Sequence, residues 1–348
     1  MDAEIENFFK VWTAAILCQF YCYFLVSRIP SGFPRLISVL PIIYLFTTLP
    51  LNLHSFHLGG ITIFYLVWLA NFKLLLYSFN RGPLSSKPYS LSHFIAIGLL
   101  PIKTKTDPSH KTPSNPEIIR RRRQFKIRSK IIKVALFFII LRLYSFRPKL
   151  HPKFIMVLYC CHMYLGVEFQ LAIAAIPIKV ILGLESAKQF NEPYLSRSLQ
   201  DFWGRRWNLM VTGILRETVY DPLRNLLTPV VGRYWSLVPA NLLTFFLSGL
   251  MHEVLFYYLS RAWPTWEVTW FFVLQGVCVT CEVYVKKWVA GRWRLHRAVS
   301  GALTVAFVGL TGSWLFFPPL VRNGLDSRAI EEYYIVLRFV KNSFVVRT

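Results

Sequence analysis

Charged residues are scarce in this chain, and acidic residues are the scarcest of them. Only 16% of the 348 residues are Asp, Glu, Lys or Arg, whereas 54% are hydrophobic. Typical soluble domains carry about 25% charged residues, so this composition excludes an ordinary soluble domain. The length is sufficient for several membrane spans of about 20 residues each. We therefore expect an integral membrane protein.

Signature motifs of several enzyme and transporter classes are also missing. The sequence contains no G-x-S-x-G elbow, no Walker loop and no dinucleotide-binding fingerprint, which argues against serine hydrolases, nucleotide-driven pumps and NAD enzymes. The six cysteines form no disulfide framework, and Cys278 and Cys281 have C-x-x-C spacing without a second pair. We expect reduced, buried thiols and predict no metal site.

The basic residues outnumber the acidic ones by 40 to 17, which gives a net charge of +23. Most of them lie in short loops between apolar blocks. This distribution is typical of cytoplasmic loops that contact the headgroups of membrane lipids, and it favours a membrane over a nucleic acid as the partner. The same charge could concentrate an anionic substrate such as a coenzyme A thioester.

Apolar blocks separate these loops and predict about seven to nine transmembrane helices in an all-α, polytopic fold. The block at 91–102 is short, and the block at 131–146 contains Lys133 and Arg142. Either block could be re-entrant, interfacial or covered by neighbouring helices. The blocks lie at 8–27, 34–53, 58–79, 91–102, 131–146, 153–184, 235–259, 266–285 and 298–320.

One segment, residues 103–130, has the composition of a loop. It contains three X-Pro turn signals and a run of four arginines at 120–123. Beside a membrane helix such a run predicts a cytosolic flank, so we expect a cytosolic loop here. No internal repeat divides the chain, and we predict a single membrane domain over residues 1–348.

A polar stripe in the block near residue 250 is the first candidate site. Asn241, Thr244, Ser248 and His252 follow helical spacing and fall on one face. A histidine can act as a general base, since its unperturbed pKa is about 6.5. From this helix alone, a structural hydrogen bond to a neighbouring helix is an equally good interpretation. Glu253 points about 100° away and is expected to pair with a basic group or to orient a neighbour, a structural role being favoured over catalysis.

An aromatic and charged segment that ends at Asn208 is the second candidate. If it is helical, Asp201, Arg205 and Asn208 share one face, and Trp203 and Trp207 share the other. This pattern is typical of an interfacial helix with aromatic anchors.

A functional interpretation of the same segment gives its polar residues contacts with substrate. Asn208 would donate to a carbonyl oxygen, and Arg205 and Arg206 would lie near phosphate groups. His162 and Glu168, in another apolar block, form a backup acid-base site.

Two motifs together resemble the paired asparagine and histidine of the membrane-bound O-acyltransferases. Residues 201–208 read Asp-Phe-Trp-Gly-Arg-Arg-Trp-Asn, and residues 248–253 read Ser-Gly-Leu-Met-His-Glu. The resemblance covers essentially the whole chain and is most specific over residues 190–265.

Three further motifs resemble the plant wax synthase type, the long-chain-alcohol O-fatty-acyltransferases. They are Asn-Glu-Pro-Tyr at 191–194, Trp-Leu-Ala-Asn-Phe-Lys at 68–73 and Arg-Gly-Pro-Leu at 81–84. The resemblance implies transfer of a fatty acyl group from acyl-CoA to a long-chain fatty alcohol in the endoplasmic reticulum membrane. Acyl-CoA is then a co-substrate, and no cofactor is expected.

The resemblance also implies residue roles. His252 takes the alcohol proton and Asn208 assists by hydrogen bonding to substrate. Weaker candidates for substrate binding are Asp201, Trp203, Arg205, Arg206, Trp207, Asn241, Ser248 and Glu253.

Three alternatives remain open at this point. Plant sterol O-acyltransferases share the motif at 201–208, so the acceptor could be a sterol. A lipid or anion transporter could line its path with His252, although the sequence shows no two related halves. A non-catalytic scaffold would leave the polar stripe unexplained.

Overall fold

The computed structural model describes residues 2–86, 89–102, 116–184, 186, 189–289 and 295–345, and this part of the chain is predominantly helical. The α-helices are α1 Asp2–Phe24, α2 Phe33–Thr48, α3 Phe56–Ile63, α4 Asn71–Ser78, α5 Leu91–Leu99, α6 Pro116–Tyr144, α7 Pro152–Leu182, α8 Leu199–Arg205, α9 Leu209–Leu215, α10 Asp221–Trp235, α11 Leu237–Ser260, α12 Glu267–Trp288, α13 Arg297–Thr311, α14 Phe317–Arg322 and α15 Leu325–Val345.

Seven helical segments in these ranges are long and apolar enough to cross a membrane. The prediction of an all-α, multi-pass membrane protein with seven to nine helices is therefore confirmed. The seven segments are Ala3–Arg28, Phe33–Asn52, Phe56–Ser78, Pro152–Leu182, Leu237–Ser260, Glu267–Trp288 and Arg297–Arg322.

The two doubtful apolar blocks are not among these spans. α5 has only nine residues, too few to cross the hydrocarbon layer. The block at 131–146 forms the end of the 29-residue α6. The predicted loop at 103–130 is wrong from residue 116 onward, because α6 begins at Pro116, where proline suits a first helical turn and the arginines that follow are good helix formers. Residues 103–115 lie outside the described residues.

Three π-helical segments lie between α-helices in the described part of the chain. They join α3 to α4, α9 to α10 and α13 to α14, at Phe64–Ala70, Arg216–Tyr220 and Gly312–Phe316. Each adds a residue to the turn and so rotates the side chains that follow it. Short 3₁₀ turns lie at Val26–Arg28, Leu49–Asn52, Arg147–Lys149 and Pro193–Leu195.

A buried lysine holds the short helix α5 inside the fold. Lys73 of α4 is 1% exposed, and its Nζ donates to the carbonyl oxygens of Ile97 and Leu100 at 2.8 and 2.7 Å. These carbonyls lie at the end of α5, where the helix has no internal donors left for them. The buried amino group is thus satisfied by backbone oxygens.

The long helices α11 and α12 run antiparallel and in close contact. Glycines make this possible, since a Cβ at Gly249 of α11 would lie 2.8 Å from the Cα of Thr269 on α12. A Cβ at Gly276 of α12 would lie 2.9 Å from the Cβ of Phe245 on α11. Small residues at such contacts are typical of membrane helix pairs. The glycines therefore fix the distance between the two helices that carry much of the candidate site.

We predict that Gly249→Ala separates α11 from α12, because the new methyl group meets backbone rather than a movable side chain. The expected loss is about 1–3 kcal/mol of unfolding free energy, measured as a lower thermal midpoint in detergent. Gly213→Ala is the matched control, since a Cβ there meets nothing within 4 Å. Equal midpoints for the two variants would contradict this account of the contact.

Candidate active site

The polar stripe of α11 faces a cavity of about 420 Å³. All four of its members, Asn241, Thr244, Ser248 and His252, line this cavity. Further polar side chains come from neighbouring elements, and we name it the polar cavity. These additional polar residues are Gln200, Asn208, Thr212, Arg216, Tyr220, Thr280 and Tyr284.

A second cavity, of about 390 Å³, has an almost entirely apolar lining. Its wall is formed mainly by α3, α7, α11, α13 and the π-helical segments at Phe64–Ala70 and Gly312–Phe316. We name it the apolar cavity. The two cavities are adjacent, because they have six lining residues in common, and we name this shared wall the junction: Trp68, Trp203, Trp207, Asn208, His252 and Phe272.

The imidazole of His252 is held in one orientation at this junction. Its Nδ1 lies 2.7 Å from the carbonyl oxygen of Ser248, and because that oxygen can only accept, Nδ1 carries the proton. In a neutral imidazole the other nitrogen is then an acceptor. The ring stacks on Phe272, with centroids 4.4 Å apart, and meets the edge of Trp68 at 5.1 Å. Nε2 has no hydrogen-bond partner among the described residues, so it is available as a base.

Asn208 lies at a break between two short helices, and the predicted continuous helix through this segment is wrong. α8 ends at Arg205, and Asn208 has left-handed backbone angles, φ 38° and ψ 65°. Asparagine adopts this conformation more readily than most residues. Its Oδ1 accepts from the backbone N–H of Val211 at 3.4 Å and caps α9. No partner of its Nδ2 is found in the described part of the chain, which leaves an amide donor at the junction.

The two tryptophans of this segment pack inward instead of forming the predicted aromatic anchors of an interfacial helix. The indole N–H of Trp203 donates to Oε1 of the fully buried Gln275 at 3.1 Å. Trp207 stacks on Phe202, with centroids 5.4 Å apart. Their predicted place beside substrate is consistent with this geometry, because both tryptophans line both cavities.

The charged residues predicted to contact substrate here lie elsewhere. Nε of Arg206 forms an ion pair with Asp201 at 2.8 Å, and its NH1 donates to the carbonyls of Asn191 and Glu192. These contacts fix the preceding loop and engage Nε and NH1 of the guanidinium. Arg205 is exposed, and none of Asp201, Arg205 and Arg206 lines either cavity.

Two further candidates act mainly between helices. Glu253 is 4% exposed and lines neither cavity, and its Oε1 accepts from the backbone N–H of Thr269 at the start of α12. This contact joins two helices, and its partner is a backbone amide instead of the expected basic group. Asn241 lines the polar cavity, but its Nδ2 donates to the carbonyl of Gly276 at 3.0 Å and to Oγ1 of Thr280 at 2.7 Å. Its amide group thus joins α11 to α12.

The backup acid-base site is not assembled. Nδ1 of His162 lies 3.1 Å from the hydroxyl of Tyr144, whereas Glu168 accepts from Nζ of Lys133 at 2.8 Å. Neither His162 nor Glu168 lines a cavity.

Sequence reasoning missed several residues that the structure brings to the site. Arg216 and Tyr220 line the polar cavity, and Phe316 lines the apolar one. All three belong to π-helical segments, whose extra residue breaks the spacing on which face assignments depend. The only general guide to these residues is that π-bulges occur frequently at functional sites.

The arrangement suits chemistry between a polar and an apolar reactant. His252 and Asn208 line both cavities, and among the described residues Nε2 of His252 is an acceptor and Nδ2 of Asn208 a donor without a hydrogen-bond partner. A base activates a hydroxyl by removing its proton, and a donor stabilises a carbonyl oxygen that gains negative charge. Together they are the groups that acyl transfer to an alcohol requires.

Comparison with known proteins agrees with this geometry. Residues 186–274, which include both Asn208 and His252, match the membrane bound O-acyl transferase family. The chain is 51% identical to a long-chain-alcohol O-fatty-acyltransferase of Simmondsia chinensis over 99% of this chain and 98% of that protein. It is 42% identical to acyl-CoA–sterol O-acyltransferase 1 of Arabidopsis thaliana over 96% of each chain. The chain therefore belongs to the membrane-bound O-acyltransferase family.

Proposed function

We propose that this protein transfers a fatty acyl group from acyl-CoA to a long-chain fatty alcohol, which yields a wax ester and free coenzyme A. One observation carries the proposal: a polar and an apolar cavity are adjacent and share His252 and Asn208 in their linings. The reaction uses acyl-CoA as co-substrate and no cofactor, and we expect it to take place in the endoplasmic reticulum membrane, as the family resemblance implies.

The proposed mechanism uses the two groups at the junction. Nε2 of His252 removes the proton of the alcohol, and the alcohol oxygen attacks the thioester carbonyl carbon. Nδ2 of Asn208 donates to the carbonyl oxygen as that oxygen becomes negative. When the tetrahedral intermediate collapses, the carbon–sulfur bond breaks, and the thiolate takes the proton held by His252.

Acyl-CoA is proposed to enter through the polar cavity from the cytosol. This cavity reaches Leu237, where α11 begins, and Tyr284, close to the end of α12. Because the two helices are antiparallel, both positions lie on one side of the membrane. Lys286 and Lys287 lie in the last turn of α12 on that side, which favours a cytosolic orientation.

Arg216 replaces Arg205 and Arg206 as the proposed contact for the phosphates of coenzyme A. It lines the polar cavity, and 65% of its side chain is exposed. Its ion pair with Asp221 is a long one, 3.4 Å, between two exposed groups. Exposed pairs of this kind contribute little energy, so the guanidinium can exchange its partner for a phosphate.

The acceptor is proposed to be a fatty alcohol because the similarity to the Simmondsia long-chain-alcohol acyltransferase exceeds that to the Arabidopsis sterol acyltransferase, 51% against 42% identity. A sterol is the alternative acceptor for the same chemistry. Microsomes that contain the protein, supplied with labelled acyl-CoA and either a fatty alcohol or a sterol, distinguish the two. A product from the sterol alone would overturn the alcohol assignment.

We predict that His252→Ala lowers the rate of ester formation by about 10²–10⁴-fold, because the alcohol loses its base. The measurement is labelled ester per amount of folded protein. His162→Ala serves as the control, since that histidine also lies in a membrane-spanning helix but lines neither cavity. Undiminished synthesis by the His252 variant would remove the proposed base.

We predict a different signature for Asn208→Asp. Aspartate keeps an oxygen that can cap α9, but it has no N–H group to donate to the substrate. The turnover number should fall by about 10²–10³-fold, while the thermal midpoint stays close to that of the wild type. A loss of stability that parallels the loss of turnover would show a structural role only.

A further inference from the structure

Two glycines in the wall of the apolar cavity leave room that no protein atom fills. Gly60 lies on α3 and Gly309 on α13, and both line this cavity. A Cβ built on either residue would meet no heavy atom within 4 Å. A methyl group at either position would therefore meet no clash.

Close helix packing, the usual reason for glycine in a membrane helix, does not apply at these positions. At Gly249 and Gly276 an added Cβ would come within 3 Å of the neighbouring helix, as that role requires. Glycine also lowers helix stability relative to alanine. No packing contact offsets that cost at Gly60 and Gly309. The absence of a side chain at these positions instead enlarges the free volume of the apolar cavity.

Gly312, one turn beyond Gly309, shows where this free volume ends. It also lines the apolar cavity, but a Cβ there would lie 3.8 Å from the ring of Phe317 and 4.0 Å from that of Phe271. These are ordinary contact distances. Alanine would fit at Gly312, and a larger side chain would press against the two rings.

One residue of the apolar cavity's wall is exposed on a membrane span. Val305 lies four residues before Gly309, on the same face of α13. It lines the cavity and is also 39% exposed. An uncharged lipid alcohol dissolved in the bilayer can reach the cavity by this side. Acyl-CoA cannot, because its charged headgroup is costly to move through hydrocarbon.

We propose that the apolar cavity binds the hydrocarbon body of the acceptor, and that Gly60 and Gly309 set the length and width of the acceptors that fit. This proposal rests on the proposed function. It assigns acceptor selectivity to two residues that do not touch the reacting atoms, so that larger residues at these positions would favour shorter or narrower alcohols.

The test is a substitution series at the two glycines, with Gly60→Phe, Gly309→Ala and Gly309→Phe. The ratio of kcat/KM for hexadecanol to that for decanol is measured with one acyl-CoA, and a second series varies the acyl chain with one alcohol. Each Phe variant should lower the alcohol ratio by about tenfold or more, and Gly309→Ala should lower it less. The acyl-chain profile should not change.

Gly213→Phe is the control, because Gly213 is also an open helical glycine but is exposed and lines neither cavity. Its alcohol ratio should equal that of the wild type. A shift in the acyl-chain profile instead of the alcohol ratio would overturn the proposal, since the cavity would then hold the acyl chain. Unchanged ratios in both Phe variants would overturn it as well.

A binding measurement separates this proposal from the proposed function. Cys160 and Cys161 line the apolar cavity, so their alkylation by N-ethylmaleimide, followed by mass spectrometry, reports on occupancy without turnover. Hexadecanol should slow alkylation in the wild type and have several-fold less effect in Gly309→Phe. If the wild type makes no ester, the proposed function fails, while protection by hexadecanol would still support this cavity as its binding site. Equal protection in both proteins would contradict the role of Gly309.

Discussion

The close contact between α11 and α12 is the constraint on which the site depends. Gly249 and Gly276 allow the two helices to approach, and Asn241 and Glu253 fix their relative positions through hydrogen bonds to α12. Inside a membrane these bonds satisfy polar groups that lipid cannot. The same approach brings Phe272 of α12 against the ring of His252 on α11. Orientation of the proposed base is therefore a consequence of helix packing, and the intrahelical bond to Ser248 selects its tautomer.

The rest of the site consists of irregular helix around this pair. All three π-helical segments contribute lining residues: Phe64–Ala70 to both cavities, Arg216–Tyr220 to the polar cavity and Gly312–Phe316 to the apolar cavity. A π-helical turn places side chains at angles that a regular helix cannot offer. Asn208 is placed at the junction by another local irregularity, its own left-handed backbone conformation between two short helices. Regular helices thus form the scaffold, and local departures from helical geometry orient the functional groups.

How much of the fold and of the candidate site the sequence could predict depends on the periodicity of each segment. The spans and the cavity-facing stripe from Asn241 to His252 follow from apolar content and helical spacing, and the structure retains both. The face assignment around Asn208 failed because it assumed a continuous helix, and the helix ends at Arg205. The phosphate role expected of Arg206 failed because Asp201 and two loop carbonyls occupy its guanidinium. These partners of Arg206 do not follow the helical spacing of the segment, and composition does not reveal them. The paired asparagine and histidine were found by resemblance to a family, since spacing alone left His252 with two equal interpretations.

In the proposed mechanism, a polar-headed and an apolar substrate approach one junction from different cavities. A structure of the protein with a non-hydrolysable acyl-CoA thioether, in which a methylene group replaces the thioester carbonyl, tests it most directly. The account predicts that the sulfur and this methylene lie between Nε2 of His252 and Nδ2 of Asn208, with the nucleotide end outside the polar cavity near Arg216. Coenzyme A density in the apolar cavity, or a sulfur remote from His252, would contradict it.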